Sequence, residues 1–115
     1  MEKADVITFH TPLTKDGKHS TYHLADANFF SSLKRRPYII NTSRGEVIDT
    51  PLLIENISSS KVSDAIIDVW ENEPHIDMRL LNMAYISTPH IAGYSADGKI
   101  NATRSSLLSL CQFFG

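Results

Sequence analysis

The sequence predicts an α/β fold built on a mostly parallel sheet, and three observations carry that expectation. Strand-like and helix-like patterns alternate in the order β-α-β-α-β-loop-β-α, as they do when helical crossovers join parallel strands. The run "DAIIDVW" at 64–70 is continuously apolar apart from its aspartates, as expected for a strand covered on both faces. Helix starts carry capping chemistry, Asp26 in one place and Thr50-Pro51 in another.

The elements follow in order. Ala4 to Phe9 reads as a strand because Val6, Ile7 and Thr8 are β-branched. Asp26 can cap a helix through "ANFFSSLKR", where Phe29, Phe30 and Leu33 share a face. Pro37 ends it, and Tyr38 to Asn41 is the next strand. Thr50 can cap the following helix with Pro51 at its first position, where the missing N–H is harmless. Leu52, Leu53 and Ile57 supply its apolar stripe, and "SSSK" closes it. After the strand at 64–70, "EPHIDMRLLNM" is a polar loop with a short helical piece, and "AYIST" at 84–88 is a further strand. A last helix starts near Ala96 and places Leu107, Leu108, Leu110, Cys111 and Phe114 on a broad apolar face. Both ends are abrupt, so the chain reads as a piece of a longer protein, with a partner surface awaiting its last helix. There are no internal repeats, and the only low-complexity stretch is the three serines at 58–60.

Composition narrows the function classes. A chain of 115 residues suits one domain or part of one. Its 42% hydrophobic fraction is ordinary for a globular protein. A net charge of −2 gives no electrostatic case for nucleic acid or an anionic membrane. The "KRR" at 34–36 reads as the solvated end of a helix. One cysteine excludes a disulfide framework and suits a reducing compartment; Cys111 itself reads as a small buried hydrophobe. No run approaches the roughly 18 apolar residues of a membrane span. "MEKADVITFH" lacks the layout of a signal peptide, and the expected location is cytoplasmic.

In open parallel sheets, ligands bind just beyond the carboxyl ends of the strands. That rule marks "HTP" at 10–12, "TSR" at 42–44, "WENEP" at 70–74 and "PHIAGY" at 89–94. Arg44 offers a planar fork for a carboxylate or phosphate, or else a salt bridge at a turn. His90 is structural unless a carboxylate fixes its tautomer, for which Glu71 and Glu73 are the candidates. A histidine so held can take a proton from a hydroxyl or give one to a carbonyl oxygen. Asp68, inside an apolar run, must be bonded: it accepts from a ligand amide or caps nearby backbone N–H groups. His10, His19, His23 and His75 lack metal-ligand spacing, so no metal site is read. No G-x-G-x-x-G and no P-loop occurs.

The blocks "NTSRGEVID", "DVWENEP" and "TPHIAGYS" together resemble the signature blocks of the D-isomer-specific 2-hydroxyacid dehydrogenases, in the family's order. "HTPLTKDGKHSTYHL" is similar to the block after an earlier strand of the family's cofactor domain. The resemblance implies a Rossmann-like parallel sheet with flanking helices, the second part of an NAD-binding domain. It implies an NAD-dependent oxidoreductase acting on a small 2-hydroxy acid, and a homodimer for the complete enzyme. Arg44 then corresponds to the carboxylate-binding arginine, His90 to the acid/base, and Glu73 to its acidic partner. Thr11, Thr42, Ser43, Arg44, Asp68 and Gly93 correspond to cofactor contacts, with Asp68 on the nicotinamide amide. Arg44 and Tyr94 correspond to substrate contacts. Such an oxidation needs a cation to orient the carboxylate, a base for the hydroxyl proton and a cofactor held face-on.

One departure is large: the family's glycine-rich loop and its ribose-binding acid are missing, as is most of the substrate domain. Residues 1–95 therefore read as a partial NAD-binding domain, and 96–115 as a helix leading back toward the substrate domain. No activity is expected of the chain alone. "HTPLT", "TYHL" and "AGYSADGK" resemble one branch of the family, whose substrate carries a phosphate. The alternatives are a phosphoglycerate or glycerate type of dehydrogenase, or a non-catalytic NAD-sensing corepressor of the same fold.

Overall fold

The computed structural model describes residues 3–93 and 96–114. Four strands, β1 (Val6–Phe9), β2 (Tyr38–Asn41), β3 (Asp64–Ile67) and β4 (Ile86–Ser87), form one sheet in the order β1-β2-β3-β4. All neighbouring pairs are parallel. Four helices accompany them: α1 (Ala27–Ser31), α2 (Thr50–Ser58), α3 (Met78–Met83) and α4 (Ala96–Phe114). A short 3-10 turn, Gly45–Val47, follows β2.

Register sorts the side chains by face. Ile7 pairs with Ile39, which pairs in turn with Ala65, and Phe9 pairs with Asn41, which pairs with Ile67. Of these, Phe9, Ile39, Ala65 and Ile67 join Phe30, Leu53, Val47 and Val62 in the core, with Ile7 packed at its margin. On the opposite face Ile40 and Ile66 are half-buried, and Val6, Tyr38 and Ile86 are exposed. β3 was expected to be covered on both faces; within this chain it is covered on one. The reason is topological. The strand order advances one neighbour at a time, and right-handed crossovers then deposit successive helices on the same side.

Local chemistry moves several boundaries. Asp26 Oδ1 accepts from the Phe29 amide at 2.8 Å, as its capping role requires. α1 is shorter than expected, because the Ser31 and Ser32 hydroxyls donate to the Asn28 and Phe29 carbonyls and compete for the helix's acceptors. The cap of α2 is Asp49, not Thr50: its carboxylate accepts from the Leu52 amide at 3.1 Å, and Thr50 becomes the first helical residue. β1 starts at Val6 rather than Ala4. β3 ends at Ile67, three residues before Trp70. β4 keeps only two residues of the expected 84–88, since Asp64 Oδ1 takes the Tyr85 amide at 3.0 Å in place of a ladder bond.

α4 begins where the sequence places it and runs for 19 residues, about 28 Å at 1.5 Å per residue. Residues 101–114 are all exposed, Leu107 by 61% and Phe113 by 82%. Cys111 is thus exposed rather than buried; its helix has the expected apolar face, but no element among the described residues covers it. Among the described residues no helix is long and apolar enough to cross a membrane.

Candidate functional site

Parallel strands put their carboxyl ends on one edge, so the segments after β1, β2, β3 and β4 share that edge. The loop after β2 is organised by Asn41, a buried polar residue at the strand's end. Its Oδ1 accepts from the Ser43 amide and hydroxyl at 3.1 and 3.0 Å, and its Nδ2 donates to the Arg44 carbonyl at 2.9 Å. Asn41 thereby holds Thr42, Ser43 and Arg44 in place. The exposed Arg44 guanidinium donates to the Ser43 carbonyl at 2.7 Å and forms no ion pair among the described residues. The salt bridge of the turn-only reading is not seen among the described residues. Gly45 is required sterically: a Cβ there would overlap the Trp70 carbonyl and the Glu71 nitrogen. The Arg44 loop is thus pressed against the start of the turn after β3.

That turn carries two carboxylates. Glu73 Oε1 accepts from the Trp70 amide at 2.8 Å, and Oε2 lies 2.9 Å from His90 Nδ1. An ionised carboxylate only accepts, which assigns the Nδ1 proton to His90 and leaves Nε2 as the lone-pair nitrogen of the neutral ring. Among the described residues Nε2 takes no hydrogen bond. His90 sits at φ 55, a left-handed conformation uncommon outside glycine, though histidine with asparagine and aspartate is among the residues that adopt it most. Burial pushes the Glu73 carboxyl up, but the His90 and Trp70 hydrogen bonds and the His90 charge outweigh it, leaving the group below its ordinary value.

Asp68 builds the neighbouring loop. It is 2% exposed. Its Oδ1 accepts from the Thr88 hydroxyl and the Ile91 amide, and its Oδ2 from the Ala92 amide at 2.9 Å. Burial again pushes its pKa up, and the Thr88, Ile91 and Ala92 bonds with the His90 charge pull it lower still. Of the two readings open from sequence, capping of backbone N–H groups is the one seen. Oδ2 keeps a further lone pair. The Asp68 bonds straddle His90 and fix the segment that presents it.

Other expected residues fall as follows. Gly93 lies beside His90, where a Cβ would stand 3.5 Å from Nε2, an ordinary contact. Thr11 follows β1 and lines a groove of 560 Å³ with Thr8, Phe9, His10 and Leu24. Among the described residues its Oγ1 is buried without a hydrogen-bond partner. Tyr94 lies outside the described residues. A second groove, of 420 Å³, runs behind the pair between Trp70, Glu73, Leu81, Thr88 and His90. Sequence reasoning missed Asn41, Thr88 and Trp70, whose indole donates to the Thr88 carbonyl at 3.0 Å. For Asn41 a signal existed: an amide ending an apolar strand has to bond something.

Comparisons with known proteins identify the family. Residues 1–92 match the family described as D-isomer specific 2-hydroxyacid dehydrogenase, NAD binding domain. Erythronate-4-phosphate dehydrogenase of Bacteroides thetaiotaomicron is 65% identical over 113 residues, 98% of this chain and 32% of that protein. The enzyme of the same name from Porphyromonas gingivalis is 47% identical over 116 residues, 31% of its length. The chain spans about a third of the length of these curated relatives. Among solved structures, apo D-mandelate dehydrogenase of Rhodotorula graminis superposes with a TM-score of 0.72 at 35% identity, over 82% of this chain and 26% of that one. D-Lactate dehydrogenase of Aquifex aeolicus, solved with NAD and lactic acid, does so at 0.71 and 29% identity, over 97% of this chain and 38% of that one. The chain is a four-stranded parallel, Rossmann-like unit, and it belongs to the NAD-binding domain family of the D-isomer-specific 2-hydroxyacid dehydrogenases.

Proposed function

We propose that this chain is the second part of the cofactor domain of an NAD-dependent dehydrogenase that oxidises the 2-hydroxyl of 4-phospho-D-erythronate. The product is 3-hydroxy-2-oxo-4-phosphobutanoate, on the route to pyridoxal phosphate. The 65% identity to an erythronate-4-phosphate dehydrogenase supports the substrate. The observation that carries the chemistry is the Glu73–His90 pair, with Nδ1 anchored and Nε2 unbonded among the described residues, on the sheet edge that also bears Arg44.

Each residue then has a task. Arg44 binds the substrate carboxylate through its two-pronged guanidinium. His90 Nε2 takes the hydroxyl proton as the C2 carbonyl forms, and Glu73 stabilises the resulting imidazolium. Bound NAD supplies the acceptor for the C2 hydride. Thr11, Thr42, Ser43, Arg44 and Gly93 would hold that cofactor, and Asp68 would hold its nicotinamide amide. The orphaned Thr11 Oγ1 fits that use. Tyr94 contacts the substrate. Residues 1–95 form the cofactor-domain part and 96–115 the helix toward the substrate domain. The complete enzyme is a cytoplasmic homodimer, and the exposed apolar residues of α4 fit a helix made for a further surface.

The test is an assay of the complete enzyme with NAD and a panel of 4-phospho-D-erythronate, D-3-phosphoglycerate and D-glycerate. The expected result is the highest kcat/KM on 4-phospho-D-erythronate. A higher value on either other acid reassigns the substrate. No NADH from any of them points to a non-catalytic NAD-sensing protein.

A further inference from the structure

A second histidine–carboxylate pair lies away from the Glu73–His90 edge position, and nothing in the proposed chemistry uses it. His23 Nε2 lies 2.6 Å from Glu71 Oε1, and its Nδ1 lies 3.5 Å from Asp49 Oδ2. Glu71 is the more enclosed partner, its side chain 11% exposed against 26% for His23. The other Glu71 oxygen accepts from the Thr50 amide at 3.1 Å, at the start of α2. The His23 backbone amide donates to the Glu46 carbonyl at 2.8 Å, within the turn that follows Arg44. Tyr22 stacks on the His23 ring with centroids 4.1 Å apart. His23 also sits at φ 48, so its backbone is held in a costly conformation to aim the ring.

Topologically, this one residue bridges two separate strand ends. The Arg44 loop leaves β2, and the Glu73 turn leaves β3. They touch where Gly45 meets the Trp70–Glu71 backbone. His23 adds a second tie, through its main chain to the Arg44 side and through its ring to the Glu73 side. We propose that His23 is a positioning residue: by clamping Glu71 it sets the placement of Glu73, and through it of His90, relative to Arg44. The inference rests on the roles proposed above for Arg44 and His90. Misplacement by about 1 Å can cost up to about a hundredfold in rate, so a clamp at this point reads out in turnover.

The test uses the complete enzyme and two variants. His23→Asn suits the left-handed backbone, where asparagine is well tolerated, but is too short to reach Glu71. His23→Gln places its side-chain amide near the position of Nε2 and keeps the donor. Expected for His23→Asn is a kcat lowered about tenfold or more, with KM for NAD and for the 2-hydroxy acid little changed. Expected for His23→Gln is recovery of most of the wild-type kcat. Wild-type kcat in His23→Asn overturns the inference, even if its melting temperature falls. So does an equal loss in both variants. If His23→Asn does not fold, Glu71→Asp is read in its place: lowered kcat at unchanged KM supports the clamp, and unchanged kcat overturns it. Normal turnover in His23→Asn beside an inactive His90→Gln removes only the clamp, whereas an active His90→Gln removes the proposed acid/base itself.

Discussion

Glu71 and Glu73 stand on either side of Asn72 in the turn after β3, and each reaches a histidine. Both histidines adopt positive φ, His23 at 48 and His90 at 55. There the likeness ends. His90 is held through Nδ1 alone, leaving Nε2 without a hydrogen bond among the described residues. His23 is held through Nε2 at 2.6 Å, and its Nδ1 lies 3.5 Å from a second carboxylate, that of Asp49. Glu73 is 36% exposed as a side chain and Glu71 11%. A histidine next to a carboxylate is thus not a function by itself. What matters is which nitrogen the carboxylate occupies and whether the other one faces open space.

The largest expected effect breaks the open pair. His90→Gln in the complete enzyme removes the proposed proton acceptor, and such assistance is worth ~10²–10⁴ in rate. Steady-state kinetics should show that loss in kcat with the fold intact by circular dichroism; near-normal turnover would sink the acid/base assignment. Next in size is Arg44→Lys. An ammonium cannot form the paired fork, and a lost charged hydrogen bond costs about 1.5–3 kcal/mol, or roughly ten- to a hundredfold in kcat/KM. Unchanged kcat/KM would return Arg44 to a bystander on its loop.

Gly45→Ala tests what joins the two regions. The added methyl meets the Trp70–Glu71 backbone rather than a flexible side chain, so the loops must part. Overpacking of this kind costs about 1–3 kcal/mol, measurable as a lower urea midpoint. A midpoint equal to wild type would mean the contact yields freely.

The smallest effect is in acid. Asp68 and Glu73 both hold pKa values below their ordinary ones. Their stabilisation is therefore complete above the unfolded carboxylate values of about 4 and is lost as pH falls through the lower native values. The urea midpoint of the complete enzyme should decline below about pH 4, less steeply in Asp68→Asn. A wild-type midpoint that holds steady into that range would show the network to be energetically idle.

Much of this was legible in the chain. Alternating strand and helix patterns give the parallel topology, because each pattern is set by local periodicity and by caps such as Asp26. The sheet-edge rule then brings Arg44, Asp68, Glu73 and His90 to one side. Strand lengths and the true cap of α2 were not legible. They depend on side chains such as Asp64 and Asp49 that compete for backbone groups distant in sequence or one residue away. The exposure of Cys111 was misread for a related reason: an apolar face shows in sequence, while what covers it does not.

Sequence alone determined the residue chemistry and its order along the chain: an arginine after one strand, two glutamates after the next, a histidine after the last. Tertiary structure decided the pairing. Glu73 met His90 and Glu71 met His23 because the two glutamates, one residue apart in the turn, project in different directions, one toward the 88–92 segment and one toward the 21–25 segment. Direction and distance across 48 residues of chain are properties of the folded sheet, and no local pattern encodes them.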